Sequence, residues 1–257
     1  METFERQTPT RVFLPEITVL DLEGVTCVED ANIRVLRDGL RADVGHVTLI
    51  DSMGTDDDLA YAARTSFRHK GKKPAGDLIN YLWKNRHTSP FEMAVAKFET
   101  CAPIAVMRQW MRHRTQSYNE ESMRYTEALP YVHVPSKYAF RDTRPGANKQ
   151  MAGLPVGELQ NLATRALVVE GLTQQYLLYR SLLGSGISRE DARLVLPLGM
   201  MTSAVVCANL LNWLRFLTQR NAPKAQWQIR EYASAIQYQL AQRFPLTFAA
   251  FAESQVL

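Results

Sequence analysis

The run from Arg112 to Tyr125, RHRTQSYNEESMRY, is the densest chemistry in the chain: three arginines, a histidine, two adjacent glutamates and several hydroxyl side chains. Just upstream, Ile104, Met107 and Met111 recur at helical spacing, which predicts a helix over 103–113 with a buried apolar face. That helix would set Arg108 and Arg112 on one face, where two like charges repel unless an anion lies near them. Guanidinium forks match phosphate and carboxylate geometry, and Ser117, Asn119 and Ser122 could add neutral hydrogen bonds to a polar ligand. The chemistry these residue types suit is therefore capture of a bound anion. Glu120 and Glu121 exclude a purely basic patch. Charge pattern alone also allows a surface helix end followed by an ion-paired loop.

Several elements must position this run. Val95, Lys97 and Glu99 alternate with Ala96, Phe98 and Thr100 as a strand does, leading through Pro103 into the arginine helix. Before it, Val47, Leu49 and Ile50 read as a strand. Thr55 and Asp58 form a capping box that opens a helix to about Ser66. Ile79, Leu82 and Trp83 mark a second amphipathic helix ending before His87, and the basic run Arg68 to Lys73 between the two reads as a loop. Beyond Tyr125, Pro130 and Pro135 punctuate the chain, and residues 141–157, rich in Arg, Gly, Asn and Lys, read as a mobile surface loop. Leu159 to Leu183 predicts a long helix with an apolar stripe, closed by Gly184 and Gly186. Ser188 and Asp191 cap a short helix carrying Arg193, and Tyr232, Ile236 and Leu240 predict a final long helix over 226–244. Residues 1–45 read as an N-terminal extension without a catalytic constellation, with a strand at Ile17 to Leu20 and a short helix at Asn32 to Asp38. Residues 46–257 read as the remaining domain, which holds the arginine run.

The central run resembles the signature RHRxxSxNExSxRY of the flavin-dependent thymidylate synthases, the ThyX family, and all nine fixed positions of its fourteen are present. MGTDDDLAYAARTSF, HTSPFEM, ARLVLPLG and NLLNWLRFLTQR resemble further blocks of the same family, so that the resemblance covers roughly residues 47–252. It implies an α+β fold with a central, mostly antiparallel sheet flanked by long helices. It also implies FAD-dependent C5 methylation of a uracil nucleotide, dUMP to dTMP, with methylene-tetrahydrofolate as carbon donor and NADPH as reductant, in a homotetramer whose active sites are shared between chains. Carried onto this sequence, Gln109, Arg112 and Arg193 would contact the nucleotide from one side and Glu120, Ser122, Arg124 and Arg220 from the other. Arg112, Ser122, Arg124 and Arg220 would be the catalytic set. Ser66, His87, Ser89, Glu92, Arg112, His113, Arg114, Asn209 and Arg215 would hold the flavin. The chain departs from the family at Met93, where histidine is usual, and at Leu211, where arginine is usual; Arg215 and Lys224 stand where asparagine or histidine are common. The positive charge has thus moved about one helical turn, from position 211 to 215.

Composition narrows the remaining classes. A chain of 257 residues, 46% of them hydrophobic, can bury a sizeable core. Net charge +4 and a pI near 9.0 suit an anionic substrate but fall short of the concentrated stripe of a nucleic-acid binder. Cys27, Cys101 and Cys207 are too few and too scattered for a disulfide framework or a zinc site, and no metal is implied. Without a leader or a bilayer-length apolar run, a cytoplasmic location is expected. Cys101 lacks an evident activating partner and reads as a small core residue rather than a nucleophile. His113, flanked by Arg112 and Arg114, would favour its neutral form. No covalent nucleophile is assigned. Three readings stay open: a dUMP methylase supplying thymidylate, a UMP or UMP/dUMP methylase of a nucleoside-antibiotic pathway, and a non-catalytic nucleotide- or RNA-binding module. The last lacks the aromatic interleaving of a stacking platform.

Overall fold

A computed structural model describes residues 11–13, 26–27, 33–35, 40–43, 45–66, 73–135, 140–143 and 152–255. Strands β1 (Arg11–Phe13), β2 (Thr26–Cys27), β3 (Ile33–Val35), β4 (Arg41–Asp43) and β5 (His46–Met53) come first. Helices α1 (Asp56–Arg64) and α2 (Ala75–Lys84) lead through a 3-10 turn at Ser89–Glu92 to β6 (Val95–Pro103), α3 (Ile104–Trp110), β7 (Ser117–Glu120) and β8 (Tyr131–Val132). Then follow β9 (Arg141–Thr143), β10 (Ala152–Pro155), α4 (Glu158–Gly184), α5 (Arg189–Ala192), a 3-10 turn at Arg193–Val195, β11 (Met201–Asn209), α6 (Leu210–Arg220), α7 (Trp227–Arg243) and α8 (Pro245–Gln255).

The main sheet has the order β1-β5-β6-β11-β7 with every neighbour antiparallel. The expected α+β class with a mostly antiparallel sheet is what the chain adopts. A second sheet, β2-β3-β4-β8, includes the parallel pair β4–β8. Alternation along the central strands explains how the main sheet is covered. Ala96, Phe98, Thr100 and Ala102 of β6 and Ala204, Val206 and Ala208 of β11 are buried beneath the helices, whereas Val95, Lys97, Glu99, Cys101, Val205, Cys207 and Asn209 are half-buried on the opposite face. Cys101 therefore lies on the more open face and not in the core.

The helical side packs Leu59, Ile79, Phe91, Trp110, Trp213, Phe216, Tyr232 and Phe251 into one apolar cluster. Gly45 makes the closest approach. Its φ of +79° places it in the left-handed region, and a Cβ there would collide with the Tyr232 hydroxyl and the Cys101 carbonyl. A second cluster, with Leu172, Tyr176 and Tyr179 of α4 against Leu40, Val132 and Met200, carries the region that follows the arginine run.

Besides the placing of Cys101, four expectations are corrected. The Asn32 to Asp38 helix is overruled by Ile33–Val35, which pairs with both β2 and β4 as a strand. Within 141–157, described residues Arg141–Thr143 and Ala152–Pro155 pair as antiparallel strands instead of forming a loop. The helix over 226–244 is not the last, because Pro245 restarts the chain as α8. The arginine helix ends at Trp110, so Arg112 lies in the turn beyond it and does not share a helical face with Arg108. The Ile17 to Leu20 strand and the Arg68 to Lys72 portion of the basic run lie outside the described residues.

Candidate functional site

The turn that carries the arginines is fixed from below. The His113 amide donates to the Trp110 carbonyl at 2.9 Å, the Gln116 amide to the His113 carbonyl at 3.2 Å, and the Arg112 amide to the Gln109 carbonyl at 3.3 Å. The indole N–H of Trp110 donates to Gln116 Oε1 at 2.9 Å. The Tyr118 hydroxyl lies 3.0 Å from the Trp110 and His113 carbonyls and from Gln116 Oε1, and burial pushes its phenol above the ordinary range, so it remains a protonated donor to this group. β7 then anchors the run by pairing Ser117 to Glu120 with Cys207 to Ala204.

Within that turn Arg112 and Arg114 are exposed, and neither guanidinium has a hydrogen-bond or ion-pair partner among the described residues. His113, between them, faces inward. Its ring meets Phe216 edge-on at 4.9 Å, and its Nε2 accepts the Nε–H of Arg220 at 2.7 Å. Arg220 also donates from Nη2 to the Gln109 carbonyl at 3.4 Å. Burial, and then the Arg220 charge, lower the His113 pKa to about 4. Burial also lowers the Arg220 pKa, though not enough for an arginine to lose its proton at neutral pH.

Helix α6 supplies this partner. The Asn209 side chain caps it by accepting from the Asn212 amide at 2.9 Å, while Leu210, Leu211, Trp213, Leu214, Phe216 and Leu217 are buried. The open edge presents Asn212, whose Nδ2 donates to the Thr115 carbonyl at 3.3 Å, and Arg215, which donates to Asn212 Oδ1 at 3.4 Å. Leu211, 2% exposed, thus sits in the core while Arg215 is at the surface. The displaced charge is on the open edge, next to the arginine turn. The start of α6 is also tied to the residue that follows the HTSPFEM block, with the Leu210 amide donating to the Ala94 carbonyl at 2.8 Å. In that block Pro90 and Phe91 are buried while His87, Ser89, Glu92 and Met93 are exposed. Ser66 is exposed just beyond α1.

A second group forms past β7. Ser122 accepts at its Oγ from the Arg124 amide at 3.4 Å, and Arg124 Nη2 pairs with Glu190 of α5 at 3.0 Å. Arg189 Nη1 reaches the Tyr125 carbonyl at 3.5 Å, Arg180 pairs with Glu127 at 2.8 Å, and the Tyr179 hydroxyl accepts from the Ala128 amide at 3.0 Å, so the 122–128 segment is strapped onto α4 and α5. Arg193 is half-buried in the turn after α5, and Glu120 is exposed at the end of β7. Within one chain, then, Gln109, His113 and Arg220 come together, flanked by Arg112, Arg114 and the α6 edge, while Ser122 and Arg124 stand with α5. Among the described residues no hydrogen bond or ion pair joins Arg220 to Glu120, Ser122 or Arg124. Sequence reasoning passed over Gln116, Tyr118 and Glu190. Gln116 and Tyr118 occupy variable positions of the motif, and Glu190 looks only like a first-turn acid of a capped helix.

Residues 48–246 match the family described as thymidylate synthase complementing protein. The chain is 44% identical over 213 residues to a flavin-dependent thymidylate synthase of Thermus thermophilus, an alignment covering 82% of this chain and 77% of that protein. It is 35% identical over 254 residues to a flavin-dependent thymidylate synthase of Ehrlichia ruminantium, covering 98% of this chain and 80% of the relative. Its fold is similar to the crystal structure of a UMP/dUMP methylase, PolB from Streptomyces cacaoi bound with 5-Br UMP, with a TM-score of 0.75, 31% identity, and coverage of 83% of this chain and 96% of that one.

Proposed function

The chain belongs to the family of thymidylate synthase complementing proteins, and from that premise we propose that it methylates C5 of a uracil nucleotide, dUMP to dTMP, without a covalent enzyme nucleophile. The observation that carries this reading is the set of cations left uncompensated in the arginine turn. Arg112 and Arg114 have no carboxylate partner among the described residues, and Arg220 is held by two neutral acceptors. Such a turn attracts a phosphate-bearing ligand and stabilises negative charge developing on a pyrimidine ring.

We assign nucleotide contacts to Gln109, Arg112, Glu120, Ser122, Arg124, Arg193 and Arg220, with Arg112, Ser122, Arg124 and Arg220 nearest the reacting ring. In the overall balance the carbon of methylene-tetrahydrofolate forms the new bond at C5 as C5 loses its proton, both of that carbon's bonds to folate nitrogens break to release tetrahydrofolate, and a hydride equivalent from NADPH, leaving NADP+, completes the methyl group. FAD, when bound, supplies the hydride and relays the one-carbon unit. The donor set suits it. Arg112, Arg114 and Arg215 offer unneutralised charge for a pyrophosphate, Asn209 keeps its amide N–H donors after capping α6, and Ser66, His87, Ser89, Glu92 and His113 complete the assignment. Leu211 is buried and offers nothing to it.

On the family resemblance we further propose a homotetramer with active sites shared between chains; Arg220 donates to the Gln109 carbonyl within one chain, so those two stand together and Arg220 is not grouped with Glu120, Ser122 and Arg124 as the resemblance implied. We take residues 46–257 as the catalytic unit and 1–45 as an accessory segment whose Arg11–Phe13 strand extends the main sheet. No helix among the described residues is long and apolar enough to cross a membrane, and we expect the enzyme in the cytoplasm. A second reading, methylation of UMP as well as dUMP, is favoured by the likeness to PolB. Mass spectrometry of products from equal dUMP and UMP, with FAD, NADPH and methylene-tetrahydrofolate, separates the two. A protein that gains flavin but methylates neither would defeat the proposed substrate. Flavin-free protein with salt-sensitive RNA binding would support the non-catalytic alternative.

A further inference from the structure

We infer that His113 is a positioning residue: its neutral imidazole holds the Arg220 guanidinium ready for the nucleotide without cancelling its charge. The inference rests on reading Arg220 as a nucleotide contact. Arginine is rotamer-rich, and fixing it only when ligand arrives weakens binding by the entropy lost at that moment. Here two acceptors fix it beforehand, His113 Nε2 at 2.7 Å from Nε and the Gln109 carbonyl at 3.4 Å from Nη2. An arginine Nε always carries its proton, so the facing ring nitrogen must be the unprotonated one and the His113 proton lies on Nδ1. The ring is itself immobilised. Phe216, fully buried, meets it edge-on at 4.9 Å, and the His113 backbone donates to Trp110 while its carbonyl accepts from Gln116 and lies within reach of the Tyr118 hydroxyl.

A carboxylate at position 113 would grip Arg220 more firmly but neutralise it, and a hydrocarbon would leave it loose. A neutral acceptor at the Nε2 position avoids both. Glutamine places its side-chain oxygen about where histidine places Nε2, so Gln and Glu at 113 have the same reach and differ in charge. That contrast separates positioning from mere packing.

The test is calorimetric titration of the flavin-loaded protein with dUMP and with UMP, using His113→Gln, His113→Leu, His113→Glu and Arg220→Ala. Binding by His113→Gln is expected within about threefold of the native protein, with His113→Leu weaker by about tenfold, the loss of one charge-assisted hydrogen bond. His113→Glu is expected to be at least as weak as His113→Leu although it restores a partner to Arg220. Melting curves and flavin absorbance of all three His113 variants check that each folds and still loads the flavin to which His113 is also assigned. Equal affinity of the Gln and Glu variants, or native affinity in His113→Leu alongside loss in Arg220→Ala, would overturn the positioning role and leave the proposed function standing. Native affinity in Arg220→Ala would remove Arg220 from the nucleotide site and the inference with it.

Discussion

Replacing Asp56 by alanine should destabilise the protein by about 3 kcal/mol, through a helix far from it in sequence. Asp56 is 6% exposed in the first turn of α1, yet its carboxylate reaches the start of α8: Oδ2 accepts from the Leu246 amide at 2.7 Å, and Oδ1 accepts from the Thr247 amide at 3.1 Å and the Thr247 hydroxyl at 2.6 Å. The first amides of a helix have no partner within it, and Thr247 is 1% exposed, so water cannot replace the lost acceptor. Capping losses of roughly 1–2 kcal/mol, raised by the charge of the acceptor and the burial of the orphaned donors, give the figure of about 3. Asp56→Asn, which keeps one acceptor oxygen but turns an NH₂ toward the donors, should lose about half as much. For a chain of this size the alanine variant should melt about 6–12 °C lower. The damage should spread. α8 braces α2 through Trp83 against Phe251 at 5.7 Å, Trp83 Nε1 donating to Ser254 Oγ at 2.9 Å and the Lys84–Glu253 pair at 2.9 Å, and α2 leads directly into the His87 block. Thermal melts combined with limited proteolysis of the C-terminal helix are the assay. A fall of under about 2 °C with α8 still protected would refute the capping argument.

Other outcomes follow from the same geometry. Gly45→Ala should cost more than about 4 kcal/mol or abolish soluble expression, since its Cβ would meet Tyr232 and the Cys101 carbonyl on a backbone at φ +79°; a chemical denaturation curve decides. Arg124→Ala should weaken nucleotide binding by about 2 kcal/mol, whereas Glu190→Gln should tighten it by no more than about fivefold at low salt, because the 3.0 Å pair it breaks is half-exposed and competes for the same guanidinium; weaker binding by Glu190→Gln in titration would mean that the pair orients Arg124 instead. His113 and His133 are both held near pKa 4 by burial and then by a neighbouring arginine, Arg220 and Arg165 respectively. Their folded pKa values lie below the unfolded value of about 6.5, so the unfolded chain takes up protons first. Their contribution to stability should fall as pH drops from about 6.5 to 4 and change no further below that, and the slope of melting temperature against pH across this window should be shallower in His133→Gln.

Much of the frame could be read from the chain because its cues are local. Thr55 with Asp58, and Ser188 with Asp191, each cap the helix expected, the hydroxyl accepting from the amide three residues on at 3.2 Å. The misreadings share a physical cause. Residues 32–38 alternate too briefly to separate helix from strand, and pairing with β2 and β4 decided the matter. The long helix over 158–184 does bury an apolar stripe at helical spacing through Leu172, Tyr176 and Tyr179, but in its first turns the buried positions are Asn161 and Arg165 while Leu159 and Leu167 are 84% and 74% exposed, so there the period holds and the apolar residues do not mark the buried face. β11, an inner strand of the sheet, is passed over because its β-branched Thr202, Val205 and Val206 are interrupted by Ser203 and Ala204 and followed by Cys207 and Ala208.

The candidate site divides along the same line between local and distant causes. A motif fixes which residues stand in a row, so Arg112, His113 and Arg114 could be picked out together, but it does not say which of the three turns inward. That depends on Phe216 and Arg220, the latter 107 residues away, and the contact became possible only because the β11–β6 pairing and the Asn209 cap aim α6 back over the arginine turn. The shift of charge from position 211 to 215 shows the same limit. In sequence it is a step of one helical turn, but buried neighbours at 210, 213 and 214 make position 211 part of the core, while 215 lies on the open edge where Asn212 meets Thr115. An arginine side chain at 211 would have to escape burial to reach a ligand, and at 215 it does not. Taken with the family resemblance, the expected change would put a cation at an inexpensive position on the edge where Asn212 meets Thr115 instead of at a costly buried one.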